Sequence, residues 1–267
     1  MPETLAPPDG PAVDDPINDK PMPLLDHLIE LRTRLLWSMG AFLLCFFVCY
    51  HFSTAIYSFL AQPLANILIT RGGNRRLIYT ALYEAFFTYL KVGFFGAAFL
   101  SFPVVATQIY MFVAPGLYRS EKRAFLPFLL ATPVLFVAGA ALAYYFVFPA
   151  AWTFFLSFET SDGAGGLPVQ LEAKVSEYLG LVMRLIFAFG LAFQLPVLLT
   201  LLAKVGIITS RGLKKYRRYA YVGMFIIAAI ITPPDVITQT GLAVPLILLY
   251  EISIFTAGLV ESKPVDV

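Results

Sequence analysis

Two glutamates carry the side chains best suited to recognising a ligand: Glu30 in the run HLIELRTRL and Glu121 in APGLYRSEKR. Each carboxylate can receive a guanidinium in bidentate geometry, the strongest ordinary way to hold an arginine. Each also has a plainer reading. Glu30 stands four residues before Arg34, a helical pair worth a few tenths of a kcal/mol. Glu121 adjoins Lys122 and Arg123 and reads equally as a solvated charge in a basic connection.

Other reactive residue types are sparse. Cys45 and Cys49 are four apart and share a helix face, but the chain has no other Cys and only His27 and His51. A closed metal site would lack ligands, so the cysteines read as small packing residues and no metal or cofactor is expected. His27 and His51 sit far apart, and no Gly-flanked Ser falls in an apolar span, so the nucleophile and base of an intramembrane hydrolase are missing. No intramembrane hydrolase is expected. Gln194 in AFQLPV is the polar group placed deepest in an apolar stretch, and Pro196 beside it removes a backbone donor. Its amide must find a partner, either a neighbouring helix, at about 0.6 kcal/mol on average, or another subunit. Arg184 and Glu251 lie nearer span ends, where snorkelling makes them anchors.

The elements that hold these residues are apolar spans. Of the 267 residues 59% are hydrophobic and only 13% charged, with a mean hydropathy of +0.77, which no soluble core can hide. A hydrocarbon core of about 30 Å needs roughly 20 apolar residues per helix. Six stretches answer: Leu35 to Phe52, Val92 to Val113, Phe125 to Trp152, Leu179 to Ala203, Ala220 to Ile231 and Gln239 to Leu259. The fold class is therefore all-α integral membrane, with six transmembrane helices. Residues 1–22 form a cytoplasmic tail, 23–260 the membrane domain and 261–267 a second tail. The fifth and sixth spans read as a short pair, either two crossings or a hairpin; the fifth reaches only about 18 Å. Pro233, Pro234 and Asp235 make the tight extracytoplasmic turn between them.

Charge placement sets the orientation. Thirteen of the nineteen Lys and Arg fall on one side of this topology, which makes both termini cytoplasmic. Arg71, Arg75 and Arg76 are a local exception in a long loop. Residues 1–22 lack the apolar core of a cleavable signal and carry Glu3, Asp9, Asp14, Asp15 and Asp19, unlike an organellar transit peptide; a disordered tail on a prokaryotic membrane is expected. Glu30 and Glu121 then share the cytoplasmic face. The segment Leu24 to Leu36 places Leu24, Leu28, Leu31 and Leu35 in one stripe, with Asp26, Glu30 and Arg34 opposite. It is expected to lie in the headgroup layer ahead of the first span, with its Leu stripe in lipid or against the bundle and Glu30 facing the cytoplasm. Prolines at Pro103, Pro127, Pro133, Pro149, Pro196 and Pro245 are expected to kink the bundle and leave it concave.

Four stretches taken together resemble the TatC family, the receptor component of the twin-arginine protein translocase: HLIELRTRL, APGLYRSEKR, the FQLP step, and TPPDVITQ followed by AVP. The resemblance runs from about Leu24 to Leu259. It implies a six-span, cup-like protein of the prokaryotic inner membrane that binds the signal peptide of folded cargo. It also implies recruitment of the single-span subunits TatA and TatB into an oligomeric complex, and transport driven by the proton motive force. Glu30 and Glu121 match the family positions that bind the Arg pair, with Leu31, Arg32, Phe112, Leu117 and Tyr118 on the same surface. Pro63 in QPL, Asp235 and Gln239 also match family motifs, with structural or partner roles: Pro63 and Asp235 at turns, Gln239 with Gln194 at partner-subunit contacts. Gln194 stands where many relatives carry Glu, and it cannot ionise. The spans show no Asp, Glu or His relay for the energy step. The rival reading, a small-molecule secondary transporter, calls for internal repeats and a charged midplane site, and neither is visible.

Overall fold

The computed structural model describes residues 24–70, 77–113, 122–160 and 169–260. Across these residues the chain is helical, with α1 at Leu24–His51, α2 at Ser53–Thr70, α3 at Glu84–Val113 and α4 at Lys122–Leu142. A π-helical turn, Ala143–Val147, runs into α5, Phe148–Leu156. Then follow α6 (Val175–Ala192), α7 (Leu195–Lys204), α8 (Ser210–Lys215), α9 (Arg217–Ile231) and α10 (Val236–Val260).

Five helical stretches among the described residues are long and apolar enough to cross a membrane: Leu28–His51, Glu84–Phe112, Leu126–Leu156, Val175–Lys204 and Val236–Val260. The expected short pair is half right. The expected fifth span falls in α9, which has 15 residues, about 22 Å of helix against a core of about 30 Å. The last is full length at 25 residues. It starts three residues before the expected Gln239 because Asp235 caps it: Asp235 Oδ1 accepts the Thr238 N–H at 2.7 Å, and Thr238 Oγ1 donates to Oδ2. This is the N-cap geometry that satisfies an orphan donor of the first turn.

The first element also differs from expectation. Leu24 to Leu36 is no separate surface helix; it runs without a break into the first span as α1, since neither Gly nor Pro interrupts it before Gly40.

The connection between the first two spans holds a helix that the sequence reading missed. In α2, Pro63, expected at a turn, is buried inside the helix. A proline there removes the N–H that the carbonyl four residues back would accept. That carbonyl, Phe59 O, instead accepts the Tyr144 hydroxyl at 2.7 Å, and Tyr178 donates to Leu60 O next to it at 2.9 Å. The carbonyl freed by the proline is thus tied to the π-helical turn, and its neighbour to α6. The π-helical turn precedes Pro149 by a few residues, and its Phe148 N–H reaches back five residues to Ala143 O.

Between apolar helices in lipid there is no hydrophobic drive, so close backbone approach has to supply the dispersion contacts. Gly139 of α4 provides it against α6: a Cβ there would stand 2.4 Å from the Phe189 carbonyl oxygen. One turn away, Gly190 of α6 faces the Phe136 ring, which stacks on Phe102 of α3 at 3.8 Å between centroids. Gly93 and Gly96 of α3 lie against Tyr50 and Cys49 of α1 in the same way. Cys49 is buried in that seam and Cys45 half-buried.

Candidate functional site

The antiparallel pairing of α1 with α3 brings Arg34 to Gln108 at one end and Cys49 to Gly96 farther along. The start of α1 therefore shares an end of the bundle with the close of α3. Glu84 and Ser176, which open α3 and α6, mark the opposite end.

At the first end, Glu30 and Arg34 form an ion pair along one face of α1. Both Arg34 Nε, at 3.0 Å, and Arg34 Nη2 donate to a single oxygen, Glu30 Oε1. Arg34 Nη1 also reaches Gln108 Oε1 at 3.5 Å, a long contact. Their side chains are only 22% (Glu30) and 17% (Arg34) exposed. The Leu stripe behaves oppositely: Leu28, Leu31 and Leu35 are exposed. Of the two placements open to the stripe the leucines take the outward one, while the polar face of α1, expected toward the cytoplasm, is turned to α3. Lipid solvates leucine as well as protein does, whereas an ion pair gains from a protein neighbour. The Glu30–Arg34 pairing named above as the plainer reading is what the structure shows, and it leaves Oε2 uncommitted among the described residues.

Of the other residues proposed around Glu30, Leu31 and Arg32 are exposed on α1 and Phe112 is half-buried in the last turn of α3. Glu121, Leu117 and Tyr118 lie outside the described residues. Their connection is bounded by Val113, which ends α3, and Lys122, which opens α4.

Gln194 sits where α6 gives way to α7, with Pro196 at the second position of the new helix. It is 7% exposed. Its Nε2 donates to Thr132 O of α4 at 3.1 Å, and the Tyr110 hydroxyl of α3 donates to its Oε1 at 3.4 Å. One amide therefore joins three helices at a break. Pro233, Pro234 and Asp235 do form the turn between α9 and α10. Gln239 is half-buried one turn on, its N–H donating to Asp235 O at 3.2 Å. Glu251, expected as an anchor, ties two helices instead: Arg217 Nη2 donates to its Oε2 at 2.5 Å and the Tyr221 hydroxyl to its Oε1. Arg184 is exposed on α6.

Sequence reasoning missed Glu84. This buried carboxylate accepts the Thr80 N–H at 2.8 Å and the Ala81 N–H at 3.4 Å on Oε2, and the Ser176 N–H at 3.2 Å and hydroxyl at 2.6 Å on Oε1. Beside it, Ile78 N donates to Ala173 O at 3.1 Å and Val175 N to Ile78 O at 2.9 Å. Together these bonds clasp the entries of α3 and α6. The available clue was an acid in the first turn of a long apolar helix, a place the helix dipole favours. No local pattern could reveal its partner 92 residues away.

Comparison with known proteins gives a consistent neighbourhood. The sequence model of the family described as "Sec-independent protein translocase protein (TatC)" matches residues 26–245. A Sec-independent protein translocase protein TatC from Magnetococcus marinus is 52% identical over 241 residues, covering 90% of this chain and 86% of that protein. One of the same description from Rickettsia prowazekii is 48% identical, covering 89% and 93%. A crystal structure described as the twin arginine translocase receptor TatC superposes with a TM-score of 0.73 at 38% identity, covering 88% of this chain and 99% of the other.

Proposed function

Since the chain belongs to the TatC family, and is thereby a multi-pass membrane component of a protein translocase rather than an enzyme, we propose that it is the receptor that binds the Arg-Arg signal peptide of folded cargo. Binding takes place at Glu30 and Glu121, with Leu31, Arg32, Phe112, Leu117 and Tyr118 around them. The protein lies in a prokaryotic inner membrane with both termini cytoplasmic, spans it six times as a concave, cup-like bundle, and recruits TatA and TatB into an oligomer for export driven by the proton motive force.

The observation that carries this reading is the state of Glu30. Its carboxylate is held half-buried at the bundle end, with one oxygen committed to Arg34 and the other open. An incoming guanidinium can bond to Oε2 without first stripping a solvated side chain of its freedom, so less entropy opposes binding. The connection bearing Glu121 starts from the same end, at Val113. Co-purification tests the reading: a precursor with an Arg-Arg signal is retained and its Lys-Lys counterpart is not, because an ammonium lacks the planar fork of donors that a guanidinium presents to carboxylates. Equal retention of both would refute it.

Gln194 and Gln239 are proposed as contacts with the partner subunits. Gln194→Glu is expected to change the TatA or TatB content of the complex on a native gel while leaving signal affinity as it was. An unchanged complex would assign Gln194 to the three-helix junction alone.

A further inference from the structure

No Asp or Glu occurs between Glu177 and Asp235, and within that interval Arg211, Lys214, Lys215, Arg217 and Arg218 crowd into α8 and the start of α9. The stretch is shaped by its backbone. Gly206, at φ +82°, turns the chain out of α7, and the Thr209 hydroxyl accepts the Gly212 N–H at 3.1 Å to cap α8. No residue of α8 is buried. Even so it is pinned: the Tyr250 hydroxyl of α10 donates to Leu213 O at 2.9 Å, and Glu251 on the next residue holds Arg217 and Tyr221.

Glu251 therefore neutralises Arg217 and leaves the rest. Arg211, Lys214, Lys215 and Arg218 are exposed, and among the described residues no carboxylate pairs with them. The Arg218 guanidinium lies 4.9 Å from the Tyr219 ring centroid and Lys215 Nζ 5.8 Å from that of Tyr216. Both tyrosines are more than half exposed, as are Ile207 and Val222 at either end of the platform. Exposed aliphatic side chains flanking tyrosines and unpaired cations are the signature of the bilayer boundary, where the rings sit at headgroup level and the cations reach phosphate. A soluble polyanion would not account for the flanking apolar residues.

We propose that α8 and the first turn of α9 form a fixed platform for the headgroups of anionic phospholipids. Hydrogen exchange of the full chain in bilayer nanodiscs tests this. Discs of phosphatidylcholine are compared with discs containing phosphatidylglycerol. Amides of residues 207–219 are expected to exchange about fivefold more slowly with phosphatidylglycerol, the factor one well-placed cation contributes near an anionic surface. The slowing is expected to vanish when salt is raised to about 0.5 M, where screening is short-ranged. In the variant R211Q/K214Q/K215Q/R218Q the lipid dependence is expected to disappear while the amides of α3 and α6 exchange as in the parent; the milder K214Q/K215Q is expected to lose part of it. Four results would overturn the proposal: no difference between the two lipids for the parent chain, an undiminished difference in the quadruple variant, equal slowing by inorganic phosphate in phosphatidylcholine discs, or loss of the difference when residues 2–22 are removed. The last would assign the platform to the acidic tail.

Discussion

Replacing Glu84 perturbs a single carboxylate whose every contact is a donor. Thr80 N–H, Ala81 N–H, Ser176 N–H and the Ser176 hydroxyl all point at it, over 2.6 to 3.4 Å. Hydrogen bonds to a charged group contribute about 1.5–3 kcal/mol each, and weaken with length. Counting the 2.6 and 2.8 Å bonds nearly in full and the longer two lightly, Glu84→Ala is expected to cost about 3–5 kcal/mol of local stability. Glu84→Gln separates geometry from charge. Its amide can turn its nitrogen to Ser176, whose hydroxyl rotates to accept, and keep its oxygen for Thr80 and Ala81. Only the Ser176 N–H is then stranded, at about 1–2 kcal/mol. Amide exchange reads this directly, since local opening sets the rate. The Ala variant is expected to speed exchange at Thr80, Ala81 and Ser176 by about a hundredfold or more, and the Gln variant to speed Ser176 alone by about tenfold. Wild-type exchange at all three amides in the Ala variant would refute the clasp, and equal acceleration of all three in the Gln variant would refute the assignment of donors.

Two further perturbations follow from the same contacts. Tyr144→Phe leaves the Phe59 carbonyl without the hydroxyl that replaces the missing Pro63 N–H, and is expected to lower thermal stability in detergent by about 1–2 kcal/mol, whereas Tyr145→Phe, on an exposed side chain, changes it little. Gly139→Leu forces a side chain against the Phe189 carbonyl and is expected to destabilise the protein by more than the about 1–3 kcal/mol typical of overpacking, read as loss of monodisperse protein on gel filtration.

The spans were legible because length and apolarity are local properties: Phe125 to Trp152 and Leu179 to Ala203 match the observed Leu126–Leu156 and Val175–Lys204 to within a few residues at each end. What escaped depends on distant partners or on a change of solvent. Helix α2 is less apolar than the spans, its residues read as loop around Pro63, and the tyrosines that stabilise it arrive 85 and 118 residues later. Glu84 is bound by Ser176 in the same long-range way. The facing of α1 stayed open for a different reason. A leucine stripe opposite Glu30 and Arg34 packs inward in water but is solvated equally well by lipid, so the pattern alone does not choose; here the leucines are exposed while the ion pair meets α3. The Asp235 turn was legible since Pro-Pro-Asp specifies both the break and the following cap within four residues.

The receptor reading stands or falls on the two acidic side chains. Photo-cross-linking of an Arg-Arg signal peptide to membranes carrying the parent chain, Glu30→Ala, Glu121→Ala and the double variant measures their part. Loss of a charge-assisted bond worth about 1.5–3 kcal/mol lowers affinity about tenfold to a hundredfold, so each single variant is expected to need at least tenfold more peptide for the same yield, and the double variant to show none above a Lys-Lys peptide. A double variant that cross-links at the parent yield and concentration would contradict it.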